Sequence, residues 1–203
     1  MPRAALQPDD VRAFRRKLAD AAIHLFAELG YEGVTMRAVA AAVDVSAMTP
    51  YRYVAGKEEL FALVRAEAFR RFADRLEAGI EKATDPADRL RRLKRAYVRF
   101  AVDEPDAYRI MFQLEQPDTK LPELARESRR AFGCLHRCVA EAVASGDLVG
   151  DPLTLAHLLW ANTHGLVSLH LAGRLQMGRS LEQLAAIDHE LPATRSQKKA
   201  TKR

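Results

Sequence analysis

Apolar residues recur at spacings of three and four along most of this chain, and no segment alternates with period two, so the pattern predicts an all-α protein. The punctuation agrees. Prolines at 86, 105, 122 and 152 stand where helices open, and glycines at 30 and 146 stand where they close. A first long helix is predicted from Asp9 or Asp10, with Phe14, Leu18, Ala22, Leu25 and Leu29 as one buried stripe, ended by Gly30. Thr35 is placed to N-cap a short helix through Val43, and Asp44 interrupts the pattern. Ser46 offers a second N-cap for another short helix through Tyr53. Further helices follow over about 57–82, 86–103, 105–114, 122–145, 152–175 and 180–191, the last capped by Ser180. The 57–82 helix carries Leu60, Phe61, Val64, Phe69, Phe72, Leu76 and Ile80 as its apolar side.

Three helices in the first 55 or so residues, the last two very short and joined by a tight turn, make a helix-turn-helix. A helix fits the DNA major groove, and a second helix crossing behind it holds it at a fixed angle. Thr35 and Ser46 each leave helix N-terminal N–H groups pointing outward, where a phosphate can accept them.

Charge says less than it first suggests. The net charge is +5, but five of the 32 basic residues lie in 192–203, a segment without acids, and the other 27 match 27 acidic residues. That tail, polar and basic after Pro192, is predicted to stay disordered. The first 57 residues hold eight basic and six acidic side chains, so DNA binding has to rest on placed residues rather than on bulk charge. With 203 residues the chain is long enough for a core without disulfides, and the two cysteines, Cys134 and Cys138, read as buried small hydrophobes. No stretch approaches a membrane span, and Pro8, Asp9, Asp10 and Arg12 break any signal-peptide layout, which points to the cytoplasm.

The block 30–60, GYEGVTMRAVAAAVDVSAMTPYRYVAGKEEL, resembles the DNA-binding domain of TetR-family transcriptional regulators. The Gly-aromatic pair, Thr35, Ala40, Val45-Ser46, Thr49, Tyr51, Tyr53 and Lys57-Glu58 match in register. Trp160, His164 and Gly165 in LLWANTHGLVSLHLAG resemble the Trp-His-Gly signature of one class of TetR-family C-terminal domains, and YRIMF at 108–112 fits the same class. The resemblance implies a helix-turn-helix domain at 9–56 and a helical effector-binding and dimerisation domain at 57–191, and the basic tail at 192–203 lies outside it.

Carried over by position, the resemblance places Thr35 at a phosphate, Arg37 at a base or phosphate, and Ala47 and Met48 near base edges. It directs Thr49, Tyr51 and Tyr53 toward the DNA backbone and Lys57 to a further phosphate. Ala47 and Met48 can touch a thymine methyl but cannot make a bidentate pair, so specificity is expected to lean on Arg37, Arg52 or DNA shape. Tyr51 and Tyr53 are equally suited to core packing, since each has an apolar body and a polar tip. Lys57 at a helix start is unfavourable for the helix, which favours a phosphate role. Pro50 stands where the family usually has leucine or isoleucine. If Ser46 is the cap, Pro50 deletes the first intrahelical hydrogen bond; if Thr49 is the cap, Pro50 opens a shorter helix.

In the larger domain, Trp160 and His164 lie four apart on the most apolar helix. They are either core or the wall of an effector pocket formed with Tyr97, Phe100, Tyr108, Met111, Phe112 and Phe132, in which His164 is the polar group that fixes orientation. Leu158, Leu159, Val167, Leu169, Leu171, Leu184 and Ile187 suit both a core and a dimer interface. A single recognition helix touches few base pairs, so a homodimer on a palindromic double-stranded operator is expected. The arginine clusters at 89–95 and 126–130 read as solvated helix faces. No nucleophile–base set, metal-ligand pattern or phosphate loop occurs, so neither enzyme activity nor a cofactor or metal is expected. The reading is a repressor released by a small-molecule effector, and the rival is a DNA-binding interaction or architectural protein without one.

Overall fold

The computed structural model describes residues 7–112, 121–176 and 178–186. The described residues are helical, with no strand among them: α1 (Pro8–Gly33), α2 (Met36–Ala42), a 3-10 turn (Pro50–Arg52), α3 (Lys57–Ile80), α4 (Pro86–Asp103), α5 (Pro105–Phe112), α6 (Pro122–Ala144), α7 (Pro152–Leu171) and α8 (Leu181–Ala186). The all-α class expected from periodicity is what the chain adopts. No helix among these residues is long and apolar enough to cross a membrane. The predicted tail 192–203, Ile187 and the end of the 180–191 helix lie outside the described residues.

The helix boundaries follow from local chemistry. Each of α4 to α7 opens on its proline, where the missing N–H costs nothing. The Thr35 hydroxyl accepts from the Ala38 N–H at 3.1 Å, and the Asp151 carboxylate accepts from the Thr154 N–H at 2.8 Å. Ser180 and Gln183 cap α8 reciprocally, Ser180 Oγ accepting from the Gln183 N–H and Gln183 Oε1 from the Ser180 N–H. Gly30 takes φ +70° and breaks α1 before one more turn to Gly33.

Two expectations need correction. The helix that opens at Pro152 stops at Leu171 and not near 175, because Gly173 adopts φ +65° and the Arg174 N–H folds back onto the Leu169 carbonyl at 2.8 Å. The buried stripe of α1 runs through Leu18, Ala19, Ala22, Ile23, Phe26 and Ala27, whereas Leu29, lying over Gly33, is 48% exposed.

The described residues fall into two compact units, one drawn from Met1–Ala78 and Arg99–Gly133 and the other from Gly79–Val98 and Cys134–Arg203. In the first, α1 packs on α2 and α5, and α3 is buried on nearly every side over its first turns, from Leu60 through Phe69. Two aromatic groups pin α3. Phe61 meets Phe26 at 4.8 Å and Tyr31 at 5.2 Å, while Phe72 meets Phe100 at 5.0 Å and Phe69 meets Phe112 at 5.6 Å between ring centroids. In the second unit α7 packs on α8, and Gly79 lets α3 approach α4, since a Cβ there would lie 2.6 Å from that of Ala96. Cys134 and Cys138 are buried thiols outside any disulfide, and a hydrogen bond to Cys134 together with burial pushes the Cys138 thiol up, away from reactivity.

A carboxylate inside the first unit organises its charges. Glu67 is only 7% exposed and accepts from Arg70 at 2.6 and 2.8 Å and from Arg71 at 3.2 Å. Arg71 also reaches Asp20 of α1 and Glu104, the residue before α5. Burial pushes the Glu67 carboxyl up, but the hydrogen bonds and charges of Arg70 and Arg71 outweigh it and hold the group below its ordinary value. A carboxyl lowered in this way stabilises the fold above its ordinary pKa and loses that contribution as pH falls through the lowered one. Glu67→Gln should therefore cost about 3 kcal/mol in denaturant unfolding at neutral pH, with the gap to the wild type narrowing in acid. A pH-independent gap would show that the charge is not what matters.

Candidate nucleic-acid interface

The N-terminal module hides its small core and leaves one polar edge outside. Met36, Val39 and Ala40 of α2 are buried with Val34, Val43 and Val54, while Thr35 and Arg37 point to solvent. Asp44 takes φ +58°, unusual for a residue other than glycine, and turns the chain out of α2. The Val45 N–H then returns to the Ala40 carbonyl at 3.0 Å, fixing where the next segment starts.

That next segment is not the helix from Ser46 through Tyr53 that the capping pattern suggests. Thr49 occupies the N-cap position, without a side-chain cap bond, and Pro50 opens a 3-10 turn that ends at Arg52. The cause is the missing proline N–H. In an α-helix begun at Ser46, residue 50 would donate to the Ser46 carbonyl; here the Thr49 N–H does so instead at 2.9 Å, an i to i+3 bond that tightens the turn. Arg52 likewise donates to the Thr49 carbonyl and Tyr53 to that of Pro50. Ser46 Oγ, freed from capping, lies 2.9 Å from Thr49 Oγ1.

The turn presents a compact exposed face. Ser46, Ala47, Met48, Tyr51 and Arg52 are all exposed, Met48 at 70% and Tyr51 at 47%, and Thr35 and Arg37 of the neighbouring helix are exposed as well. Tyr51 thus lies outside the core. Tyr53 divides its parts, since its ring packs on Phe14 at 4.2 Å while its carbonyl accepts from Arg15 at 3.0 Å. Lys57 is held inside the chain. Its Nζ donates to the Glu32 carbonyl at 3.3 Å and lies 4.5 Å from the Tyr31 ring centroid, with the Glu32 carboxylate at 3.7 Å. The electrostatic cost of a lysine at a helix start is therefore offset locally, by Glu32 and by Glu58 and Glu59 in the same first turn.

Sequence reasoning passed over Arg15 and Glu59. Glu59 accepts from the Ala55 N–H at 2.7 Å and pairs with Arg15 at 3.2 Å, so the two clamp the end of the exposed turn. Glutamate at the third helical position is the signal for the first half of that clamp; nothing local marks Arg15, whose partners lie about forty residues away.

The residues expected around an effector divide between the units. In the first, Phe100, Tyr108 and Met111 are fully buried and Phe112, half-buried, packs on Tyr108 with ring centroids 5.0 Å apart. Phe132 is half-buried. In the second, Tyr97 is buried, His164 is half-buried and Trp160 is 36% exposed beside His157. Burial pushes the His164 imidazole pKa down, which favours its neutral form, and its Nε2 lies 3.3 Å from Ser168 Oγ. The arginine clusters are ion-paired faces, with Arg89 on Glu141, Arg92 on Asp88 and Arg130 on Asp74 and Glu77. A cleft bounded by α1, α3 and α6 is lined mostly by charged side chains, five arginines and three glutamates, with Ala19, Leu63 and Ala66 as its apolar part.

Comparison with known proteins places these elements. Residues 18–64 match the family described as bacterial regulatory proteins, tetR family, and residues 90–189 match the tetracyclin repressor-like C-terminal domain. The HTH-type transcriptional regulator Mb1846 of Mycobacterium bovis is 24% identical over 175 residues, covering 71% of this chain and 75% of that protein. The HTH-type transcriptional repressor KstR of Rhodococcus jostii is 41% identical over 61 residues, 30% of this chain and 29% of that one. The solved structure of the fatty acid degradation regulator FadR from Bacillus halodurans shares the fold, with a TM-score of 0.70 and 21% identity over 89% of this chain and 92% of that chain.

Replacing Pro50 tests the origin of the tight turn. Pro50→Leu restores an N–H, and the new amide should donate to the Ser46 carbonyl and become protected in hydrogen exchange followed by NMR. An amide at residue 50 that exchanges as fast as an exposed one would assign the 3-10 geometry to some other cause.

Proposed function

We propose, because this chain belongs to the TetR family of bacterial regulatory proteins, that it is a repressor that leaves its operator when a small molecule binds the C-terminal helices. That it is a DNA-binding transcriptional regulator follows from the family. The observation that supports the assignment of contacts is the exposed edge itself. In a module whose other large apolar side chains are mostly buried, Met48 and Tyr51 stand in solvent, as do Arg37 and Arg52, as a surface meant to be covered would.

In this reading Arg37 and Arg52 supply the bidentate donors, Ala47 and Met48 touch thymine methyl groups, and Thr35, Ser46, Thr49, Tyr51, Tyr53 and Lys57 hold phosphates. With Ala47 and Met48 in the turn that precedes the 3-10 segment and not on a full helix, sequence preference leans on the arginines and on groove shape. Residues 9–56 carry the DNA-binding role, and 57–191 the effector and dimer roles, a functional division that cuts the chain differently from its compact units. The protein works by binding, in the cytoplasm, with no reaction assigned to it.

The operator is palindromic because the protein is a homodimer. The support is α7, which is apolar almost all round yet leaves Leu158 51% and Leu169 46% exposed, a pattern that a second copy would bury. Leu159, Leu171 and Leu184 are partly exposed, whereas Val167 is fully buried and belongs to the chain's own core. A second reading, DNA binding without an effector, draws support from the close packing of Phe100, Tyr108 and Met111, which fill the space that an effector pocket there would need. Release of bound DNA by members of a compound library favours the first reading; stable binding throughout favours the second.

Two measurements test the contacts and the assembly. Arg37→Ala should weaken binding to the protein's own selected sequence by about 1–3 kcal/mol and leave binding to unrelated DNA much less affected; equal losses on both would remove the base-reading role. In sedimentation at micromolar concentration the wild type should run as a dimer and Leu158→Glu as a monomer, and a monomeric wild type would sink the interface.

A further inference from the structure

The cleft between α1, α3 and α6 lies wholly within the first compact unit and has a volume of about 130 Å³, roughly ten times the ~10–15 Å³ that admits a single water. Part of its charge is spent internally. Arg70 donates to Glu67 through Nε and Nη2 and to Asp74 through Nη1. Glu127, 7% exposed, accepts from both Arg126 and Arg130. Arg15 gives Nη1 to the Tyr53 carbonyl and to Glu59, and its Nη2 lies 3.5 Å from Glu123.

The other three lining arginines keep most of their donors. Arg12 and Arg16 stand one turn apart on α1, Arg126 lies near the start of α6, and their side chains are 70%, 59% and 67% exposed. Arg12 pairs with Asp9 of its own helix alone among the described residues. Arg126 donates through Nε to its chain neighbour Glu127, which leaves both Nη groups without a partner among the described residues. Arg16 makes no hydrogen bond to any described residue, and the carboxylate it approaches, that of Glu67 at 3.9 Å, is already taken by Arg70 and Arg71. Five guanidinium groups against three carboxylates leave an excess of two positive charges above Ala19, Leu63 and Ala66, which are buried and strengthen any ion pair made over them.

We propose that this cleft binds a small phosphate-bearing anion, whose phosphoryl oxygens accept from Arg12 and Arg16 of α1 and from the Nη groups of Arg126 of α6. A phosphoryl group carries about −1.5 to −2 charge near neutral pH and three acceptor oxygens, so it can take donors from two helices at once, which chloride or a single carboxylate does less well. The planar guanidinium fork suits such oxygens better than a lysine would. The site shares no residue with the exposed turn or with the aromatic side chains expected around an effector, and it depends on neither assignment. Because α1 and α6 then hold one ligand between them, occupancy stabilises the first unit in proportion to the logarithm of ligand concentration.

The test uses the full-length protein with pyrophosphate, and chloride at matched ionic strength controls for screening. Titration calorimetry on the wild type should show one pyrophosphate bound per chain, and the melting temperature should rise a few degrees further in pyrophosphate than in chloride. Arg16→Gln and Arg126→Gln should each weaken binding about tenfold or more, whereas Arg129→Gln, at an exposed arginine of α6 outside the lining, should leave it unchanged. Glu123→Gln removes a competing carboxylate from the lining and should bind severalfold tighter. Arg16→Lys should retain part of the affinity, which gives a second readout if the glutamine variant folds poorly. No binding beyond that of chloride, binding unaltered in both glutamine variants of the lining, or an equal loss in Arg129→Gln would each overturn the proposal. So would a wild type indifferent to pyrophosphate whose Arg16→Gln and Arg126→Gln variants bind DNA more weakly and with a shallower salt dependence, since the cleft would then be a contact for the DNA backbone.

Discussion

A buried carboxylate sets the terms for the first compact unit of this molecule. Glu67 lies on α3 beside a stretch buried on nearly every side, where an ionised group survives only if its neighbours neutralise it. Arg70 and Arg71 do so from the same helix, and Arg71, with donors to spare, extends the pairing to Asp20 of α1 and to Glu104 before α5. The satisfaction of one carboxyl thereby fixes how three helices stand. A second tie, His24 to Asp106 at 2.7 Å, joins α1 to α5 at the surface. Apolar packing of Phe61 on Phe26 and of Phe69 on Phe112 supplies most of the cohesion, but it is less directional than the ion pairs that set the register.

The exposed turn that follows α2 depends on a smaller constraint of the same kind. One absent N–H, at Pro50, leaves the Ser46 carbonyl to be satisfied by Thr49, and a tight 3-10 turn replaces the first turn of an α-helix. The turn is then anchored from behind, with Tyr53 stacked on Phe14 and its carbonyl taken by Arg15, which Glu59 holds in place. A rigid back and an exposed front are what a surface that reads DNA requires, since side chains that must meet base edges gain nothing from a support that moves.

The parts of this architecture that were legible in the sequence share one property: they depend on residues adjacent in the chain. Pro86, Pro105, Pro122 and Pro152 open helices because a first-turn residue has no use for its N–H, and that holds whatever packs nearby. Thr35 caps α2 for a reason three residues long. Where the reading went astray, competing local signals or distant partners decided. Ser46 is a good cap in isolation, but Pro50 overrules it; the end of α7 moved because Gly173 could adopt a left-handed turn two residues after Leu171. Leu29 fits the α1 stripe by spacing and lies outside the core because the helix ends over Gly33.

Sequence alone therefore determined the helical class, most helix boundaries and the motif whose residues identify a TetR-family regulator, because periodicity, capping and register are properties of neighbours in the chain. Tertiary structure alone decided which charges are paired and which apolar faces are covered. No periodicity distinguishes Arg16 from Arg71, or Leu158 from Val167: the difference lies in what residues remote in sequence bring to each. The same holds for Lys57, whose charge at a helix start is offset by Glu32 and Tyr31, neighbours that no local pattern reveals. Burial and electrostatic pairing are long-range in sequence and short-range in space, so only the folded chain could settle them.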